Sequence, residues 1–81
     1  MIVSVQLFAA AKAAAGCSTK DISLPDQATV ALLRTELMRE LPALQALQSA
    51  LLVAVNSTYA DDAQVISSTD QIACFPPVSG G

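Results

Sequence analysis

Histidine and tryptophan are both missing from this 81-residue chain. Without histidine, the commonest general base at neutral pH and the commonest metal ligand are gone. Glycine is scarce: there are three, and two of them are the last two residues. No glycine-rich loop is therefore left to cradle a phosphate. Lysine and arginine together number four against seven acidic residues, for a formal net charge of -3. That balance argues against nucleic acid and anionic membrane and suits a partner with a basic face. Aromatic residues are confined to Phe8, Tyr59 and Phe75. The two cysteines, Cys17 and Cys74, stand in no CxxC or zinc-type spacing. We read both as free thiols of a reducing cytosol, with Cys74 buried. No apolar stretch approaches the roughly 20 residues of a membrane span. Ala14-Ala15-Gly16-Cys17 has the look of a lipoprotein cleavage box, but no basic residue precedes Lys12, and Lys12 interrupts the apolar run such a leader needs. A cytoplasmic protein is expected.

What is present is a well-patterned apolar content of 53%, much of it alanine. Residues 1–81 make one domain with a modest core built from Leu, Ile and Val. Ile2 to Phe8 alternates, with Val3, Val5 and Leu7 on one side, which predicts a strand and leaves Phe8 on the polar face. Ala9 to Ala15 lacks a large apolar anchor and reads as a loop or short helical turn ending at Gly16. Ser18 to Leu24 is a second strand with Ile22 and Leu24 inward. Thr29 is placed to cap a helix whose buried stripe is Val30, Leu33, Leu37 and Leu41. Pro42 ends that helix and suits the first turn of a short second one, Ala43 to Ser49, with Leu44 and Leu47 inward. Leu51 to Val55 is a buried strand closed by a turn at Asn56-Ser57, and Thr58 to Ala60 is a brief edge strand. Val65 and Ile66 are expected to plug the core from a loop. Gln71 to Phe75 is the last strand, with Ile72 and Cys74 on one face and Ala73 and Phe75 on the other. This order predicts an α+β fold, a mixed sheet with one main helix and a short second helix, in the β-grasp arrangement. The first and last strands would then lie parallel and adjacent at the sheet centre.

An autonomous enzyme is not expected. The carboxylates are scattered, and the single adjacent pair, Asp61-Asp62, reads as a solvated turn. Ser79 has no histidine to activate it. Cys17, with Lys20 nearby, is a persulfide candidate, although a loop cysteine with no other activating group is more often incidental. The distinctive stretch is Phe75-Pro76-Pro77-Val78-Ser79-Gly80-Gly81. Pro76 and Pro77 favour an extended, stiffened segment, and two glycines can thread a channel too narrow for any side chain. Residues 76–81 are thus read as an extended functional tail that presents the Gly81 carboxylate to another protein's active site. A carboxylate is a poor electrophile. Adenylation supplies a leaving group, and a sulfur donor that displaces AMP leaves a thiocarboxylate, whose soft anionic sulfur is a good nucleophile.

The tail motif, together with Leu52-Val53-Ala54-Val55-Asn56 and Leu7-Phe8-Ala9, resembles the MoaD family, the ubiquitin-like sulfur carriers that form the small subunit of molybdopterin synthase. The likeness spans the whole chain and is most specific at Pro-Pro-Val-Ser-Gly-Gly. It implies that Gly81 is adenylated by a MoeB-like activating enzyme and converted to a thiocarboxylate (1-thioglycine), with no cofactor or metal bound to the carrier itself. It further implies that Pro76, Pro77, Val78, Ser79 and Gly80 thread into a MoaE-like large subunit, in a heterotetramer, where cyclic pyranopterin monophosphate accepts the sulfur. Cys74 and Thr69 depart from the family's usual aromatic and Gly-Asp turn. Phe8, Tyr59 and Phe75 are expected to form one exposed docking patch at the root of the tail. The rival readings are a carrier for thiamine or tRNA thiolation, a ubiquitin-like protein modifier, and a binding module with an inert tail.

Overall fold

Strand alternation buries Val3, Val5 and Leu7 of β1 (Ile2–Leu7) and leaves Ile2, Ser4 and Gln6 exposed. The computed structural model describes residues 1–76. β2 (Thr19–Ser23) runs antiparallel to β1, with Val3 opposite Ile22 and Val5 opposite Lys20. Between them the alanine stretch takes the helical of the two conformations that the sequence offered, as α1 (Ala9–Ala15). No large apolar anchor is required, because alanine has the highest helix propensity and the methyl of Ala11 is fully buried against the core. Gly16 closes this helix at φ 74°, and its N–H donates to the Lys12 carbonyl at 3.0 Å. That left-handed conformation is the common glycine exit from a helix.

Thr29 caps α2 (Val30–Glu40), its Oγ1 accepting from Leu32 N–H at 3.3 Å. Val30, Leu33 and Leu37 lie buried on the expected stripe, Met38 joins them, and Leu41 is half-buried at the C-cap. The short second helix is a 3-10 segment, Pro42–Leu47, with Leu44 buried and Leu47 half-buried. The described residues therefore carry three helical segments where the sequence pattern gave two. A hairpin joins β3 (Leu52–Val55) to β4 (Thr58–Tyr59). Its turn residues Asn56 and Ser57 sit at φ 53° and 70°, the left-handed pair that matches the twist of hairpin strands. Val65 and Ile66 do not both plug the core. Ile66 is 1% exposed and Val65 is 56% exposed. Val65 makes an isolated bridge with Thr29, and neighbours in extended chain point to opposite sides.

The last strand, β5 (Ile72–Phe75), lies parallel to β1 and antiparallel to β3. The sheet order is β2-β1-β5-β3-β4. This is the expected β-grasp: a mixed five-stranded sheet, with the inward residues of β1, β3 and β5 gathered into one cluster with those of α2. Two polar arrangements tie its loops down. Arg34 Nε lies 3.0 Å from Asp62 Oδ1, at an angle that leaves Nε without a hydrogen bond. At the start of β5, Asn56 Nδ2 donates to Asp70 Oδ1 and Gln71 N–H donates to Asn56 Oδ1, both at 2.9 Å. Ser67 N–H donates to Asp70 Oδ2 at 2.8 Å.

Truncating Leu33 or Leu37 to Ala should cost about 2–5 kcal/mol, as buried leucines do. A variant that melts with the wild type would remove that leucine from the core. Asp70 is held below the usual carboxylate range, first by the Ser67 N–H and then by the Asn56 amide. A depressed folded-state value means the stabilisation is present above the unfolded value, about 3.9, and is lost as pH falls through the folded one. The wild type should therefore lose stability on acidification below about pH 4. Asp70→Ala should be less stable at neutral pH and lose less on acidification, as measured by denaturant unfolding at pH 7 and pH 3.

Candidate functional site

The tail root is set by β5. Its two flanks are both hydrogen-bonded, to β1 on one side and β3 on the other. Beyond the ladder, Phe8 N–H donates to the Cys74 carbonyl at 3.2 Å. Alternation then does the sorting along β5: Ile72 and Cys74 are buried, while Ala73 and Phe75 are half-buried on the opposite face. Pro76 follows directly and is half-buried. Pro77, Val78, Ser79, Gly80 and Gly81, read from the sequence as the threading segment and reactive end, lie outside the described residues.

Phe75 meets Tyr59. Their ring centroids are 5.8 Å apart with the planes tilted by 43°, within the usual range for interacting aromatic pairs. Tyr59 sits on the edge strand β4 and is 69% exposed. Ala54 faces Tyr59 across the β3–β4 ladder and Ala73 across the β3–β5 ladder. Together Ala54, Ser57, Tyr59, Ala73 and Phe75 line a cavity of about 340 Å³ on the sheet face turned away from α2. The sequence pattern singled out the two aromatics and missed the alanines between them. The available signal was the alternation itself, which turns Ala54 and Ala73 to the same face.

Phe8 is placed differently. It is exposed, and it takes an extended conformation as the N-cap of α1. Its register puts it level with Phe75 on the neighbouring strand, and it borders a separate cavity with Gln6, Lys12 and Thr19. The structure thus pairs Tyr59 with Phe75 and sets Phe8 one strand away, at the same end of the sheet. A third cavity, about 640 Å³, is lined by Arg34, Gln45, Gln48, Ser49 and Asp62 among others. The Arg34 and Asp62 charges oppose one another there, so it presents no net charge.

Cys74 sits at the tail root but is not poised there as a nucleophile. Burial pushes the Cys74 thiol up to about 11, only partly offset by Arg34, so it stays protonated at neutral pH. Cys17 is half-buried and packs against the core. Among the described residues, no helix is long and apolar enough to cross a membrane.

The ThiS family model matches residues 5–81. A molybdopterin synthase sulfur carrier subunit from Arabidopsis thaliana is 30% identical over 79 residues, covering 98% of this chain and 82% of that protein. Among solved structures, SAMP1 from Haloferax volcanii, a small archaeal modifier protein, superposes with a TM-score of 0.88 at 29% identity, over 100% of both chains. A Pyrococcus furiosus protein assigned as molybdopterin converting factor subunit 1 superposes with a TM-score of 0.86 at 26% identity, over 96% of this chain and 99% of that one. With the parallel β1–β5 pair at its centre and a match through the tail, the chain belongs to the ThiS/MoaD family of ubiquitin-like β-grasp proteins.

Proposed function

We propose that this chain is the sulfur carrier of a molybdopterin synthase. The observation that carries the reading is the sequence position of the tail motif. The Pro-Pro-Val-Ser-Gly-Gly segment continues directly from the central strand β5, in a chain that aligns over nearly its whole length with a carrier subunit of that synthase. The carrier's own chemistry is confined to the Gly81 carboxylate. One carboxylate oxygen attacks the α-phosphorus of ATP and pyrophosphate leaves, giving a glycyl adenylate. A sulfur nucleophile then adds to the activated carbonyl and AMP departs with the bonding pair. With hydrosulfide as that nucleophile the thiocarboxylate is left directly at residue 81; with a persulfide donor an acyl disulfide forms first, and a second thiol cleaves its S–S bond, leaving the thiocarboxylate on residue 81 and a disulfide on the donor. An adenylating enzyme of the MoeB type supplies the nucleotide site for the first step. A MoaE-like large subunit receives the tail and holds cyclic pyranopterin monophosphate, to which the sulfur is transferred. Each dithiolene needs two sulfurs, so two charged carriers act per pterin.

In this reading the fold supplies rigidity and docking. A strand held on both sides fixes Pro76, the residue from which the tail continues in sequence, which lowers the entropic cost of capture. Phe75 and Tyr59 provide the apolar contact at the root, with Phe8 one strand away. A second reading, a protein modifier joined through Gly81 to a lysine, is favoured by the likeness to the Haloferax volcanii modifier. Intact mass separates the two after incubation with ATP, an activating enzyme and a sulfur source. Exchange of one oxygen for sulfur supports the carrier, and a ladder of heavier conjugates supports the modifier.

Deletion of Gly81 shortens the reach by about 3.3–3.6 Å, and a displacement of even about 1 Å can cost on the order of a hundredfold in rate. Deletion, or extension past Gly81, should therefore abolish sulfur transfer while the fold and large-subunit binding persist. The check is synthase turnover with chemically thiocarboxylated carrier, and wild-type turnover by an intact extended chain would sink the reading. Tyr59→Ala should weaken association with the large subunit and leave the melting temperature close to wild type. Unchanged affinity by calorimetry would take Tyr59 out of the interface.

A further inference from the structure

The sheet ends in β2 on one side and β4 on the other. The free flank of an edge strand is a template on which a second chain can add. β4 offers little, because it is two residues long. β2 is longer, Thr19–Ser23. Leu7 N–H donates to the Ser18 carbonyl and Leu24 N–H donates to the Met1 carbonyl, both at 2.8 Å. Alternate residues of an antiparallel strand bond to the same neighbour, so the even-numbered residues from 18 to 24 face β1. The N–H and C=O groups of Thr19, Asp21 and Ser23 therefore point outward, along the free edge.

Two charged residues stand where such an addition would occur. Lys20 lies opposite Val5, and cross-strand partners share a face, so Lys20 belongs to the inward face of the sheet. It is half-buried, whereas Ile22 and Leu24, the next inward residues, are 1% and 3% exposed. Among the described residues no carboxylate pairs with it, so its ammonium depends on water. A half-buried lysine reaches water by extending beyond its apolar neighbours, and on an edge strand the free flank is the way out. Asp21 is exposed on the other face, opposite Ser4.

These residues meet a second copy badly in each register open to it. Since Thr19, Asp21 and Ser23 hold the free backbone groups, an antiparallel copy of β2 sets odd-numbered residues opposite odd-numbered ones. Full overlap puts Asp21 directly against Asp21 of the copy, and like charges so placed are destabilising. The same register puts Lys20 against Ile22 of the copy, where the ammonium loses water and gains no partner. A slip one way sets Lys20 against Lys20. A slip the other way sets Lys20 against Leu24, and Thr19 against Pro25, which has no N–H to donate.

We propose that Lys20 and Asp21 keep the β2 edge clear of a second copy of this chain, and so hold the chain monomeric at the one sheet edge long enough to pair. With β4 protected by its brevity, both edges are then accounted for. This inference does not depend on the carrier reading above.

Lys20→Val combined with Asp21→Thr places good strand formers at both positions and removes the clashes of full overlap. By light scattering the double variant should run at twice the chain mass at concentrations where the wild type runs as a monomer, with a thermal midpoint at or above wild type. Its amides at positions 19, 21 and 23 should gain protection from hydrogen exchange as concentration rises. In the wild type the same amides should exchange at a rate independent of concentration. Arg39→Val combined with Glu40→Thr removes the same two charges from exposed positions on α2 and should stay monomeric. A folded Lys20→Val, Asp21→Thr variant that remains monomeric at every concentration overturns the proposal. Equal association of the α2 double variant also overturns it, because lost charge alone would then suffice. Concentration-dependent protection of the wild-type Thr19, Asp21 and Ser23 amides overturns it as well, and that measurement holds whether or not the variant folds.

Discussion

The parallel ladder between β1 and β5 joins the two ends of the chain, Val5 to Ile72 through Leu7 to Cys74. Such pairing cannot be closed by a short turn and needs a long crossover. Here the crossover comprises α1, β2, α2, the 3-10 segment and the β3–β4 hairpin. Everything between the two strands is thus required to bring them together. The central location of β5 follows, because β3 pairs along its other edge. A strand with both edges occupied is among the least free segments of a small protein, so the point from which the tail departs is defined by the whole fold.

That constraint explains the division of labour on β5. Its inward residues, Ile72 and Cys74, belong to the core, and its outward residues, Ala73 and Phe75, belong to the surface at the tail root. The core is purely apolar among the described residues, with no buried polar or charged side chain. It has no group that could do acid–base work, and the one buried thiol is held protonated by its surroundings. In the function proposed, chemistry falls to Gly81 and recognition to the open sheet face. The Asn56–Asp70 contacts anchor the opposite end of β5 to the β3–β4 turn, which keeps Tyr59 and Phe75 in fixed relation.

Similarity to both a molybdopterin synthase carrier subunit and an archaeal modifier protein is what this architecture would produce. A terminal glycine activated as an acyl adenylate can be intercepted by sulfur or by an amine. The fold supports either outcome, and the acceptor decides between them. In the function proposed, the carrier determines for itself which protein receives the tail, through the surface around Phe75.

Period-two alternation in β1 and β5 and the Val30-Leu33-Leu37 stripe were enough to identify the inward residues, since burial repeats with the geometry of each element. Thr29 as a cap and Asn56-Ser57 as a turn were equally local matters, settled by side-chain chemistry within a few residues. The family was readable for the same reason, because the tail motif that carries the resemblance lies in consecutive residues. The alanine helix was readable only as one of two alternatives, a loop or a short helical turn ending at Gly16. Its stability comes from Ala11 fitting against a core assembled from distant strands, and no residue within the stretch advertises that contact. Val65 and Ile66 were also beyond local reading, because a bridge to Thr29, far away in the chain, decides which of the two turns inward. Phe8, Tyr59 and Phe75 were recognisable one by one as outward aromatics. That Tyr59 joins Phe75 over an alanine floor, while Phe8 stands one strand away, depends on strand order and register. Those are properties of the assembled sheet, set by pairings between residues far apart in sequence.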